Sequence, residues 1–149
     1  MPQLYESHAG LRIFGDALVP DEVSKLLGAT STKSRLKGET WIGKRTGREY
    51  VAKTGAWHLD ADDCKPGDLD KQVADILGKL TSDLDVWREL TRRFKVDLFC
   101  GWFMEDWNEG LSISPRTMAA LAERGIELDI GLYAPSLADD DEHQARHQS

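Results

Sequence analysis

Apolar residues recur along the chain with two periods, one typical of strands and one typical of helices. The β-rich segment 11–15 predicts a strand. Segment 19–28 predicts a short amphipathic helix, because Pro20 stands at a first helical position and Gly28 ends the periodic pattern. A second strand is predicted at 56–59, just before a run of aspartates. The N-terminal part of the chain is therefore expected to combine strands with a helix.

The middle of the chain has two patterns that leave alternatives open. Residues 40–44 and 48–52 can pair as a hairpin around a turn at 45–47. From 68 to 94 one apolar stripe continues for about six helical turns. Ser82 and Asp85 resemble the start of a new helix within that stripe. One long helix and two shorter helices fit this segment equally well.

The C-terminal part repeats the alternation of strand and helix. Segment 96–104 is the most apolar stretch and predicts a central strand. Pro115 begins a second helix and Gly125 closes it. Its inward face is expected to carry Met118, Leu121 and Ala122. Strict alternation over 126–133 predicts a half-buried strand.

The order of these elements predicts an α+β fold. Each half contains strand, helix and strand, which favours ferredoxin-like duplicated β-α-β halves with a mostly antiparallel sheet and helices on one face. The similarity between the two halves is explained equally by a true duplication and by chance resemblance of two short helices. We expect an N-terminal extension at 1–9, one domain at 10–135 and a disordered acidic tail at 136–149.

Five segments in a fixed order carry a resemblance to a known family. They are 11–15, 19–28, 57–59, 111–115 and 125–133. Together they resemble a bacterial family catalogued as domain of unknown function 4279. The resemblance implies a small bacterial α+β domain and brings neither an established activity nor catalytic residues. At the level of class, the chain is similar to the small acidic immunity proteins that accompany bacterial toxins.

Composition and charge exclude several classes of protein. The 149 residues carry a net charge of −7, which argues against a general nucleic-acid binder. No apolar run approaches the roughly 20 residues that span a bilayer. The first ten residues lack the features of a signal peptide, so we expect a cytoplasmic protein. Cys64 and Cys100 are expected to be free thiols and not metal ligands.

The charge is distributed unevenly. Segment 33–53 is strongly basic, and segment 60–86 is strongly acidic. Lys44, Arg45 and Arg48 are candidate anion-binding residues in a segment that also holds Trp41 and Tyr50. A solvated loop of mixed charge explains the same residues without any ligand.

An acidic segment with a central tryptophan directly follows the apolar strand. Glu105, Asp106 and Glu109 surround Trp107, in a stretch whose Asn and Gly favour a turn. Loops at strand ends often carry binding residues, and tryptophan is enriched among interface hot spots. These four residues are therefore the candidate site for a basic partner. The alternative is that Trp107 packs on the core while the acids are solvated.

The chain contains no recognisable catalytic motif. His58 alternates with Trp57 and Leu59 and is expected on the opposite face of its strand, more as a solvent-facing or hydrogen-bonded side chain than as a base. His143 and His147 stand four residues apart in the acidic tail. We expect no enzymatic activity, no cofactor and no metal.

Two functional hypotheses follow. The first is a protein-binding module, most concretely an immunity-type inhibitor that neutralises a cognate basic bacterial toxin. The alternative is a small-ligand or anion-binding domain, with or without enzymatic activity, that uses segment 33–53. A purely structural role in an assembly ranks third.

Overall fold

The computed structural model describes residues 1–136 of the chain. Its elements are β1 (Glu6–Gly15), α1 (Pro20–Leu27), β2 (Lys33–Arg35), β3 (Thr40–Ile42), β4 (Glu49–Val51), β5 (Gly55–Asp60), α2 (Leu69–Gly78), α3 (Leu84–Arg93), β6 (Lys95–Phe103), α4 (Pro115–Glu123) and β7 (Glu127–Tyr133). Every predicted strand and helix is present, including the hairpin β3–β4. The tail prediction beyond Ser136, with His143 and His147, lies outside the described residues. No helix within residues 1–136 is long and apolar enough to cross a membrane.

Five strands form one mixed sheet in the order β2-β5-β1-β6-β7. The central strand β1 runs antiparallel to β5 and β6, β2 runs antiparallel to β5, and β6 and β7 are parallel. The predicted α+β class is confirmed. The elements β1-α1-β2-β5-α2/α3-β6 follow the β-α-β-β-α-β order of ferredoxin-like domains. The hairpin β3–β4 is inserted between β2 and β5, and α4–β7 is added after β6.

The two halves that the sequence pairs as duplicates differ in their strand pairing. β6 and β7 are parallel neighbours joined by the crossover helix α4. β1 and β5 are antiparallel neighbours instead, and α1 crosses from β1 to β2 on the far side of β5. The similarity between the two halves is therefore limited to the helix starts, where Pro20 and Pro115 both occupy a first helical position.

One face of the sheet and all four described helices share a single apolar core. Alternate residues of β1, namely Ala9, Leu11 and Ile13, are fully buried there. Trp57 of β5 and Trp87 of α3 are also fully buried, and each donates its indole N–H to an oxygen atom, at 3.0 and 2.8 Å respectively. The helices therefore cover one face, and the opposite face of the sheet remains open for other contacts.

Segment 68–94 forms two helices. The chain leaves the helical path after Gly78, and α3 begins at Leu84. Asp83, rather than Ser82, caps α3 by accepting a hydrogen bond from the backbone N–H of Asp85 at 2.9 Å. Thr81 is held by a tertiary bond from its N–H to the carbonyl of Leu27. This contact with α1 accounts for the interruption of the stripe.

Three local expectations differ from the structure. β1 begins at Glu6, so residues 6–9 belong to the sheet and not to an extension. Met118 of α4 is 51% exposed and Ala122 is also exposed, whereas Leu121 is buried as expected. The helix buries Thr117 instead of Met118, because the Thr117 hydroxyl donates to a carboxylate of α2 at 2.7 Å.

Candidate functional site

The open face of the sheet is organised around Arg12 at the middle of β1. Its guanidinium donates two bonds to Asp97 of β6, at 2.8 and 2.9 Å, and one to Asp129 of β7 at 3.2 Å. Asp97 is 1% exposed, and its bonds raise the pKa of Arg12. The guanidinium also lies 5.4 Å from the Phe14 ring centroid and 4.7 Å from that of Phe99. These contacts lie within the sheet, so Arg12 joins three strands.

His58 lies on this open face, opposite Trp57 and Leu59, as its position in the strand predicts. Its ring meets Phe14 edge-on at 5.4 Å. Burial lowers the pKa of His58, so the imidazole is neutral at pH 7. Its Nε2 atom is buried without a partner among the described residues. Within residues 1–136 no carboxylate is hydrogen-bonded to the ring to orient it as a general base.

Two glycines allow aromatic rings to lie against the open face near one end of the sheet. A Cβ atom at Gly101 would stand 3.2 Å from the ring of Phe103, and one at Gly131 would stand 3.3 Å from the ring of Phe99. Without those atoms, Phe103 and Tyr133 stack in parallel with their centroids 4.6 Å apart. The stack therefore depends on the pairing of β6 with β7.

Four exposed aromatic residues lie at this end of the sheet, where β1 begins and both β6 and β7 finish. We call it the aromatic end and define it by Tyr5 (41% exposed), Phe103 (37%), Trp107 (58%) and Tyr133 (48%). Glu6 pairs in register with Phe103, and the N–H of Met104 donates to the carbonyl of Tyr133. Exposed rings that cluster in this way are typical of surfaces that bind another molecule.

The loop that carries Trp107 is held by one carboxylate. Glu109 accepts hydrogen bonds from the backbone N–H groups of Tyr5 at 3.0 Å, Glu105 at 3.2 Å and Asp106 at 2.9 Å. Of the four predicted partner-binding residues, Glu109 thus has a positioning role inside the loop. Glu105 and Trp107 are exposed on it, and Asp106 is half-buried.

The second predicted site lies on the hairpin β3–β4. Trp41 and Tyr50 stack at 5.6 Å with an angle of 20°, and Arg35 lies 4.4 Å over the Trp41 ring. Three exposed cations, Lys44, Arg45 and Arg48, surround the turn between the strands. Their side chains make no hydrogen bond or ion pair to any part of residues 1–136. The structure therefore brings these cations together on one basic turn.

Neither thiol is activated for nucleophilic chemistry. Burial raises the pKa of Cys64 and raises that of Cys100 to about 12, so both are protonated at pH 7. Within residues 1–136 no group of three or more His, Cys, Asp or Glu is placed to hold a metal ion.

Two surface depressions accompany these sites. One, of about 620 Å³, is lined by the loop at 62–68, and the other, of about 920 Å³, lies between α2 and α4. Asp70 lines the second depression, but its carboxylate accepts bonds from Ser114 N–H at 3.0 Å and from the Thr117 hydroxyl at 2.7 Å. That carboxylate therefore fixes α4 to α2, and its backbone bond to Ser114 lowers its pKa.

Sequence reasoning located the Trp107 loop but missed the rings beside it. Phe103 and Tyr133 are separated by 30 residues and meet only because β6 pairs with β7 in the observed register. Tyr5 falls in the segment expected to be an extension. The only local signal was an aromatic residue at the end of each predicted strand, which also fits an ordinary core position.

Comparison with known proteins gives one match. Residues 4–135 match the model of a family described as "Domain of unknown function (DUF4279)". No curated protein and no solved structure matches the chain.

Proposed function

We propose a protein-binding function for this chain, which belongs to the family described as Domain of unknown function (DUF4279). The binding site is the aromatic end, and the partner is a basic protein. In its most concrete form the chain is a cytoplasmic immunity-type inhibitor that neutralises a cognate basic toxin by direct contact. The observation that carries the proposal is the exposed stack of Phe103 on Tyr133 at the end of the sheet that also holds the acidic loop around Trp107.

The chemistry of the aromatic end suits cationic side chains. Arginine and lysine stack on aromatic faces and form ion pairs with carboxylates beside them. Glu6 stands opposite Phe103 in the β1–β6 pair, and Glu105 precedes Trp107 by two residues in the loop. Within the chain itself, Lys65 already lies 5.3 Å over the ring of Tyr5. The proposal assigns the same type of cation–π contact to the side chains of the partner.

The loop is already arranged for binding in the free protein. The three backbone bonds to Glu109 fix the peptide that precedes Trp107, and Leu4 and Gly110 add a backbone bond at 2.8 Å. Ordering a loop on association costs free energy, so a loop that is held beforehand binds more tightly. The net charge of −7 adds long-range attraction for a basic partner.

The test begins with the full chain as bait in an extract of its native host, followed by identification of the captured protein. Calorimetry with that purified partner then compares Trp107→Ala with wild type. A hot-spot ring is worth at least about 2 kcal/mol, which corresponds to an affinity loss of about 30-fold. Exchange of Glu105 and Asp106 for lysine should also slow association at low salt.

The matched control is Trp41→Ala, which removes an aromatic ring from the basic hairpin β3–β4 instead of from the acidic loop. We expect this variant to bind with wild-type affinity. Equal affinity of Trp107→Ala and wild type, or loss only in Trp41→Ala, would contradict the assignment of the site. An acidic captured partner would contradict the charge argument.

The basic turn favours a second candidate, a small-ligand or anion-binding domain with or without enzymatic activity. Its observation is the group of unpaired side chains of Lys44, Arg45 and Arg48. If the turn binds phosphate groups, pyrophosphate should raise the melting temperature of the chain. Arg45→Ala with Arg48→Ala should abolish that shift, while sodium chloride at equal ionic strength should produce none. Absence of a pyrophosphate shift would count against this candidate.

A further inference from the structure

The described sheet has two edges, and they differ in their protection. β2 spans three residues and carries Lys33 and Arg35, so it is short and charged. β7 spans seven residues, Glu127–Tyr133, and contains no lysine, arginine or proline. Among residues 1–136, no strand pairs with its outer side. Proteins normally protect long edges, because unpaired N–H and C=O groups recruit other strands.

Of the three β7 residues that point toward the helical side, Leu128 is half-buried and the other two are exposed. Leu128, Ile130 and Leu132 stand in register with Leu98, Cys100 and Trp102 of β6. The β6 residues are buried or half-buried, whereas Ile130 is 38% and Leu132 66% exposed. Strict alternation predicted a half-buried strand here. Within residues 1–136 no strand lies beside the outer side of β7, so its apolar row has no neighbour there.

We propose that β7 pairs antiparallel with β7 of a second copy of this chain, about a two-fold axis that passes through Ile130. This axis places Ile130 opposite Ile130 of the other copy and Leu128 opposite Leu132. Antiparallel partners share one face of a sheet, so the two apolar rows meet on the helical side. The result is one continuous sheet with the helices of both copies on the same side.

The pattern of charge in β7 selects this register. Asp129 faces Gly131 of the other copy, and Glu127 faces Tyr133, so no two acids stand directly opposite. The carboxylate of Asp129 is also paired with Arg12 at 3.2 Å, which compensates its charge. A two-fold axis through Asp129 would set two carboxylates against each other, which is destabilising.

Other registers lose pairing or violate the geometry. An axis through Gly131 would bring Pro135 opposite Glu127, and proline has no N–H to donate to a ladder. An axis between two residues would set a residue of the open face against one of the helical face, which an antiparallel pair does not allow. The axis through Ile130 alone uses all seven residues of β7.

The register is tested by cysteine cross-linking of the full chain in a Cys64→Ser, Cys100→Ala background, because Cys100 lies beside position 130 in the β6–β7 register. Ile130→Cys places two thiols opposite each other, with Cα atoms within the roughly 4.4–6.8 Å that a disulfide spans. We expect a covalent dimer after mild oxidation. Leu132→Cys is the matched control. In the proposed register position 132 stands opposite position 128 of the other copy, so the two introduced cysteines lie four residues apart along the strands, about 13 Å. Efficient cross-linking of Leu132→Cys in place of Ile130→Cys would overturn the proposed register.

Association without a cross-link is tested by sedimentation equilibrium of the full chain. Wild type is expected to dimerise reversibly, and Leu132→Lys to raise the dissociation constant at least about tenfold. Ile42→Lys is the control, since Ile42 is 71% exposed on the hairpin β3–β4, which forms a separate sheet from the one that contains β7. Circular dichroism confirms that each variant is folded. A monomeric wild type, or dissociation by Ile42→Lys alone, would overturn the proposal.

Tyr133 belongs to both the aromatic end and β7, so the dimer and the proposed partner site are tested separately with Trp107 and Leu132, which each belong to only one of them. Trp107→Ala should leave the sedimentation behaviour unchanged, because Trp107 lies in the loop after β6 and outside β7. Leu132→Lys should still bind the basic partner with a stoichiometry of one partner per chain. Loss of dimerisation in Trp107→Ala would contradict the assignment of the interface to β7.

Discussion

The contact between Arg12 and Asp97 supports the centre of the sheet, and its removal has a predictable cost. In Arg12→Met the apolar stem is retained while the guanidinium is lost. Asp97, which is 1% exposed, then loses two charge-assisted hydrogen bonds. Removing one partner of a buried ion pair costs about 3–5 kcal/mol, because the remaining charge is uncompensated.

The structure places the cost near the lower end of that range. The Arg12 side chain is 27% exposed, so water can reach part of the space that the guanidinium leaves. Loss of the contacts with Phe14 and Phe99 adds up to about 1 kcal/mol at such a site. We therefore expect the free energy of unfolding to fall by about 3–4 kcal/mol, a large share of the 5–15 kcal/mol typical of a domain.

A double-mutant cycle separates the charge from the packing. Asp97→Asn in the Arg12→Met background removes the unpaired charge, so it should restore about 2 kcal/mol of the loss. Urea unfolding followed by tryptophan fluorescence at pH 7 measures all four proteins. A loss below about 1 kcal/mol, or no recovery in the double variant, would refute the reasoning.

Three further predictions concern single contacts. Glu109→Ala should speed amide hydrogen exchange at Tyr5 and in the Trp107 loop without unfolding the domain, and unchanged exchange there would contradict its positioning role. Asp70→Asn should lower the free energy of unfolding by about 1 kcal/mol at pH 7. Because the folded state lowers the pKa of Asp70, this contribution is present at pH 7 and is lost as the pH falls through the folded pKa. Urea unfolding should therefore give similar stabilities for wild type and variant at low pH. A thiol reagent at pH 8 should modify Cys64 well before the buried Cys100, and equal rates in the native protein would contradict the burial that raises the pKa of Cys100 to about 12.

Local pattern was sufficient for most of the secondary structure. Pro20 and Pro115 begin their helices, and Gly28 and Gly125 adopt positive φ just beyond the helix ends, because these preferences act within a few residues. The break at 79–83 was not decided locally. It depends on the bond from Thr81 to Leu27, two residues that are distant in the sequence.

The candidate site was predictable only in part. Trp107 and its neighbouring acids lie within five residues of the sequence, so local pattern was enough to name them as a candidate site. Glu109 accepts a hydrogen bond from the backbone N–H of Tyr5, which lies 104 residues away in the sequence. The stack of Phe103 on Tyr133 requires the parallel pairing of β6 with β7. Strand register is a tertiary property, so no local pattern specifies which rings meet.

The sequence by itself determined the α+β class, the two proline-initiated helices, the apolar central strand and the separation of a basic hairpin from an acidic loop. Each of these is set by the spacing of residues within one element. The tertiary structure alone decided the strand order, the burial of Asp97 beneath Arg12, the aromatic end and the exposure of Ile130 and Leu132. These features depend on which strands lie side by side, and strand pairing depends on the packing of the whole core.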